Sequence, residues 1–218
     1  LKLCTPHIIQ KNTFWLSHER IIFWEEEKAL ILSDLHFAKT GHFRKEGIGV
    51  PQNLYKEDLQ RLFHAIQFFQ PKKLIVVGDL FHSRENKEMN IFLKWRNDIS
   101  HINIHLVKGN HDILENSWYE RSEITVSNEQ LSIEQFSFTH DASSINQQQI
   151  TNNYFFSGHI HPGIKIKNSL QSLHFPCFYF GEKYCVLPAF GKFTGLAMIK
   201  PKKGETVYAI VNRSLIKV

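Results

Sequence analysis

The residues best suited to chemistry recur at short spacings after apolar runs: Asp34-x-His36, Gly78-Asp79-x-x-His82, Gly109-Asn110-His111-Asp112, Thr139-His140-Asp141 and Gly158-His159-x-His161. Asp and His two apart at the end of an extended run point to the same side and can reach one ion together. Asn adds a neutral oxygen ligand, His a ring nitrogen or a proton, and Gly lets the backbone turn sharply beside them. Taken singly, a Gly-Asp after a strand reads as a turn; it is the repetition that points to metal. Two divalent ions ~3.5 to 4 Å apart, clamping both oxygens of an in-line displacement at phosphorus, need a bridging carboxylate and a mixed nitrogen and oxygen shell. Asp34, His36, Asp79, Asn110, His140, His159 and His161 supply that shell, and His111 is left over as an acid.

The elements that must position these groups are legible as short apolar runs. Leu74-Ile75-Val76-Val77, bounded by Pro71-Lys72-Lys73 and Gly78, suits a strand covered on both faces, with its polar residues at the carboxyl end where open α/β sheets place ligands. Arg20 to Trp24 and Ala29 to Ser33 read as a hairpin whose second strand exits into Asp34. Ile102 to Val107 exits into Gly109-Asn110, and Tyr154 to Ser157 into Gly158-His159. Ile124 to Val126 and Leu131 to Phe138 suggest another hairpin about Ser127 to Gln130, leading to His140. Two helical stripes intervene: Tyr55, Leu59, Leu62, Phe63, Ile66 and Phe69, capped by Asn53, and Met89, Phe92, Leu93, Arg96 and Ile99. The polar segment from Ser143 to Asn153 is expected to form a short helix. With no linker, repeat or low-complexity tract in view, one α/β domain over 1–218 with two sheets is the expectation.

Composition excludes several classes. No apolar run approaches the ~20 residues of a membrane span, and none reads as a secretory signal. Three cysteines, Cys4, Cys177 and Cys185, are odd in number and lack Cys-x-x-Cys spacing, against a disulfide framework and for a reducing, cytoplasmic compartment. The net charge of +5 is mild but favours a polyanionic substrate. Of thirteen histidines, His7, His18, His42, His64, His101, His105 and His174 are expected at the surface. Lys39, Arg44, Lys45 and Arg84, on loops behind the first two motifs, are candidates for contacting a nucleic-acid backbone.

The ordered motifs resemble those of the calcineurin-like metallophosphoesterases. Ser33 to Lys39, Phe43 to Ile48, Gly78 to Arg84, Phe175 to Phe178 and Leu187-Pro188-Ala189-Phe190-Gly191 further resemble one branch, the ligase-associated DNA damage response endonucleases. Phe37-Ala38 departs from relatives that carry glycine soon after the first His. The resemblance implies a four-layer α/β/β/α sandwich of two mixed sheets flanked by helices. It also implies one metal on Asp34, His36, Asp79 and His161 and another on Asp79, Asn110, His140 and His159, with Asp79 shared. His82 stands where phosphatase relatives carry aspartate and nucleases of recombination repair carry histidine, a lean towards phosphodiesters.

The expectation is therefore a dinuclear-metal phosphodiesterase, a DNA endonuclease of repair, in which metal-activated hydroxide attacks phosphorus. His111 would protonate the leaving sugar oxygen, oriented by His82 or Asp112. Manganese is the first choice of cofactor, with zinc or iron as alternatives. Single-stranded DNA is the expected substrate, and the branch implies a DNA ligase and a helicase-like protein as partners. The competing readings are a phosphatase or small-molecule phosphodiesterase on the same metals, and a non-enzymatic scaffold on the same fold.

Overall fold

A computed structural model describes residues 4–37, 54–82, 89–144, 153–167 and 171–218. Strands β1 (Cys4–Ile9), β2 (Asn12–Ser17), β3 (Ile21–Trp24), β4 (Ala29–Leu32), β5 (Lys73–Val77), β6 (Asn103–Val107) and β7 (Ile124–Ser127) form one sheet in sequence order. The first four run antiparallel to their neighbours, and β4 through β7 run parallel. The second sheet contains β8 (Leu131–Ile133), β9 (Phe136–Phe138), β10 (Tyr154–Ser157), β11 (Pro162–Lys167), β12 (Ser172–Phe180), β13 (Tyr184–Val186) and β14 (Ala197–Met198), ordered 14-11-12-13-10-9-8. Strand β15 (Thr206–Val211) joins it through β12, and β16 (Ser214–Lys217) pairs with β15. Both sheets mix parallel and antiparallel pairs, as the sequence led one to expect.

Period-two side-chain direction explains why the central strands are apolar throughout. In β4, Leu30 and Leu32 face the helices while Ala29 and Ile31 face the second sheet; Leu74 and Val76 against Ile75 and Val77 repeat the division in β5. The helix side receives α1 (Leu54–Phe69) through Leu59, Leu62 and Ile66, α2 (Met89–Asp98) through Met89 and Phe92, and α3 (Asn116–Arg121) through Trp118 and Tyr119. Between the sheets, the Phe14 ring lies 5.1 Å from both Phe136 and Phe156, and Trp24 lies 4.9 Å from Phe136. Such aromatic pairs add ~0.5 to 1.5 kcal/mol each beyond their buried area. A smaller cluster around Ile164, Cys177, Val207 and Ala209 lies beyond the second sheet.

Two expectations are corrected and one hairpin is added. Ile124 to Val126 and Leu131 to Phe138 do not form a hairpin: β7 pairs parallel with β6 in the first sheet, and the chain crosses at Asn128 to Gln130 into the second. The turn lies instead within the later run, where Glu134 takes φ 50° between β8 and β9. An additional hairpin, β1–β2, turns through Gln10 and Lys11, both left-handed at φ 48° and 67° without the Gly or Asn that usually marks such a turn. Finally, His7 is not a plain surface residue. Its ring lies 4.0 Å from Phe180 and its Nδ1 3.2 Å from the Tyr208 hydroxyl, joining β1 to the second sheet. The Asn53 cap and most of the helix expected from Ser143 to Asn153 lie outside the described residues, beyond a single 3₁₀ turn at Ala142–Ser144.

Candidate metal centre

All the candidate ligands leave the carboxyl ends of strands that have a parallel neighbour: Asp34 and His36 after β4, Asp79 after β5, Asn110 after β6, His140 after β9, His159 and His161 after β10. Parallel pairing brings such ends together at one edge, and facing the two sheets converges the two edges. Asp34, His36, Asp79, His159 and His161 adopt left-handed backbone, with φ between 49° and 69°. That conformation costs about 1 kcal/mol or more for a residue with a Cβ, and the loops are held in it by hydrogen bonds: Asp34 N–H to Gly78 O at 3.0 Å, His36 N–H to Asp79 O at 2.9 Å and Phe37 N–H to Leu80 O at 2.9 Å. Two glycines are dictated by crowding. A Cβ on Gly78, at φ 80°, would meet His140 Nδ1 at 2.0 Å, and one on Gly109 would meet Asp79 N at 2.5 Å.

The donor atoms fall into two overlapping groups. In one, His161 Nε2 is 3.2 Å from Asp34 Oδ1 and 3.4 Å from His36 Nε2, and His36 Nε2 is 3.9 Å from both Asp34 Oδ1 and Asp79 Oδ2. In the other, His140 Nε2 is 3.4 Å from Asp79 Oδ2, 3.2 Å from Asn110 Oδ1 and 3.2 Å from His159 Nδ1. Four ligands each ~2.1 Å from one ion stand ~3.4 Å apart in a tetrahedron, so the observed spacings fit one cation per group. Asp79 Oδ2 borders both groups, and Asp34 lies within 4.8 Å of donors in each. Asp34 Oδ1 is buried with no hydrogen-bond donor, a lone pair directed into the cluster that a cation would satisfy.

Surrounding groups fix ligand orientation. His140 Nδ1 lies 3.2 Å from Val77 O, so its N–H donates there and leaves Nε2 facing Asp79. Burial alone would raise the Asp79 pKa, but the hydrogen bond and charge of His140, with the His111 N–H and His36, hold it at about 2. Burial would lower His140, yet the hydrogen bond and charge of Asp79, joined by Asp34, raise it to about 9. Positive charge is thus favoured between the two side chains. Ser33, which the sequence reading passed over, offers its hydroxyl to Asp34 Oδ2 and to Val77 O, and the His159 N–H donates to the same Asp34 oxygen at 3.1 Å. Its only signal in the sequence was adjacency to Asp34.

The remaining imidazoles line the same mouth. His111 and His82 rings lie 4.1 Å apart, His36 lies 5.5 Å from His111, and His82 Nδ1 is 3.3 Å from His36 Nδ1. The His111 N–H donates to Asp79 Oδ1 at 2.9 Å, tying the backbone of the candidate acid to a ligand. The buried Asp112 carboxylate accepts from Phe81 N–H at 3.0 Å and Gly109 N–H at 2.9 Å, and burial pushes its pKa up to about 7. It positions the two loops that carry His82 and His111. Lys39, Arg44, Lys45 and Arg84 lie outside the described residues.

Two mixed sheets bearing a His, Asp and Asn cluster at their strand ends define a metal-dependent phosphoesterase. Residues 28–183 match the calcineurin-like phosphoesterase family, and the chain belongs to that family. Its fold is similar to that of the Pseudomonas putida nuclease MPE, with a TM-score of 0.82 and 24% identity over 98% of this chain and 100% of that one. A slighter likeness, TM-score 0.45 and 15% identity over 87% of this chain and 97% of the other, is to the E. coli phosphoesterase Yfce. A comparison with curated proteins found no match.

Proposed function

We propose that this protein is a dinuclear-metal phosphodiesterase that cuts single-stranded DNA internally, in DNA repair. The observation that carries the reading is the pair of donor groups, meeting at Asp79 Oδ2, with His111 and His82 at their rim. Divalent ions held there, manganese foremost, would neutralise charge developing on a phosphoryl group and activate water. Asp34, His36, Asp79 and His161 would hold one ion, and Asp79, Asn110, His140 and His159 the other. His111 gives a proton to the departing sugar oxygen, which as an alkoxide is a poor leaving group without it. His82, whose ring packs against His111 at a tilt of 32°, keeps that ring turned to the substrate.

The choice of a diester over a monoester is supported by His82, at a position where phosphatase relatives carry aspartate. Similarity in fold to a nuclease and the net charge of +5 support a nucleic-acid substrate. The cysteines are free thiols, in keeping with a cytoplasmic setting, and among the described residues no helix is long and apolar enough to cross a membrane. A DNA ligase and a helicase-like protein are the partners proposed from the branch resemblance.

The deciding experiment is cleavage of circular single-stranded DNA with Mn²⁺, because a circle offers no end to an exonuclease. Linear products that require Mn²⁺ are expected. Intact circles beside rapid hydrolysis of a monoester chromogenic substrate would make the protein a phosphatase instead.

A further inference from the structure

The segment Leu187-Pro188-Ala189-Phe190-Gly191 supplies no candidate ligand, yet its backbone N–H groups donate to the loops that do. Phe190 N–H donates to Ser33 O at 2.8 Å and Gly191 N–H to Asp34 O at 3.0 Å, while Leu187 N–H donates to Ser157 O at 2.8 Å, just before Gly158 and His159. Ala189 also bridges to Ser33 in parallel register. The segment thus splices the exit of β4 to the exit of β10. On its far side, two arginines take the three successive carbonyls. Arg20 Nη1 donates to Ala189 O and Gly191 O, each at 3.1 Å, and Arg61 Nη1 to Phe190 O at 3.2 Å. The Arg61 guanidinium stacks over the Phe190 ring at 4.3 Å and is held by Glu19 at 2.8 Å and Asp58 at 2.6 Å.

We infer that Arg20 is a positioning residue for the metal centre, clamping Ala189 and Gly191 so that their segment holds Asp34 in its left-handed conformation. Asp34 has φ 54° and a carboxylate oxygen without a donor, so its geometry depends on neighbours that fix the backbone. Both bonds leave a single Arg20 nitrogen, held in the guanidinium plane at the end of a side chain one bond longer than lysine's; a lysine in its place keeps the charge and falls short of the two carbonyls. Groups that orient ligands in this way are worth ~10 to 100-fold in metal affinity.

The inference rests on the metal-centre reading, and the test separates the two. Mn²⁺ is titrated into chelator-stripped, folded protein for wild type, Arg20→Lys and Ile9→Val, the last a core change in β1 remote from the ligands. Arg20→Lys is expected to bind Mn²⁺ at least ~10-fold more weakly and to exchange its Gly191 amide hydrogen faster, while Ile9→Val keeps wild-type affinity. Where Arg20→Lys does not fold, Gly191→Ala decides: its Cβ would stand 2.7 Å from Leu35 O and push the segment off Asp34 from the other side, with the same loss expected. Unchanged affinity in the folded variant, or an equal loss in Ile9→Val, removes the clamp alone. A wild type that takes up no Mn²⁺ removes the metal centre and the clamp together.

Discussion

At the scale of single residues, the proposed mechanism divides the centre into groups that would hold metal and one, His111, that would move a proton. His111 touches Asp79 only through its backbone N–H, so its side chain can be changed without removing a ligand. His111→Asn should therefore keep bound metal while turnover falls by at least ~10²; elemental analysis beside kcat checks both halves. Asp79→Asn is expected to do the reverse: it weakens a carboxylate oxygen that borders both donor groups, and the purified variant should carry neither ion by elemental analysis. The candidate ligands that the structure brings together could be picked from sequence because each follows an apolar run and a glycine or strand end. What could not be read was how they are held. Five of them adopt left-handed backbone, and Ser33 and Val77 enter only through atoms that meet after folding.

At the scale of elements, the parallel strands were the readable part, since burial on both faces leaves a continuous apolar run such as Leu74 to Val77. The hairpin β1–β2 was not, because its left-handed turn residues Gln10 and Lys11 carry no turn chemistry of their own, and the Asn12 amide that donates to Gln10 O meets it only once the turn has formed. The crossing after β7 was misread for a related reason: Ser-Asn-Glu-Gln has the composition of a hairpin turn, and only pairing partners tell a turn from a link between sheets. His7 on β1 yields a prediction about pH. Burial, with Lys217 nearby, lowers its pKa below 6.5. A histidine depressed on folding adds stability above its unfolded pKa and loses it as pH falls, because protonation favours the unfolded chain. Thermal stability should thus decline as pH falls below 6.5, and His7→Phe should decline less over the same range in parallel melts.

At the scale of the molecule, a mildly basic protein whose candidate phosphate contacts follow Asp34 and Asp79 in the sequence should bind nucleic acid in a salt-dependent way. If Lys39, Arg44, Lys45 and Arg84 each neutralise one phosphate, the logarithm of affinity for single-stranded DNA should fall with that of salt at a slope of about −3. Titrations at several ionic strengths with a chelator present measure it, and a flat line would exclude those four. The order of the chain carries a further consequence. Asp34 lies near the beginning, but the segment that locks its backbone ends at Gly191, so contacts across most of the sequence must form before the ligand cage is complete. A truncated polypeptide that stopped short of Leu187 would retain every candidate ligand and still lack the strap that sets Asp34, a hydrolase with its parts present and unassembled.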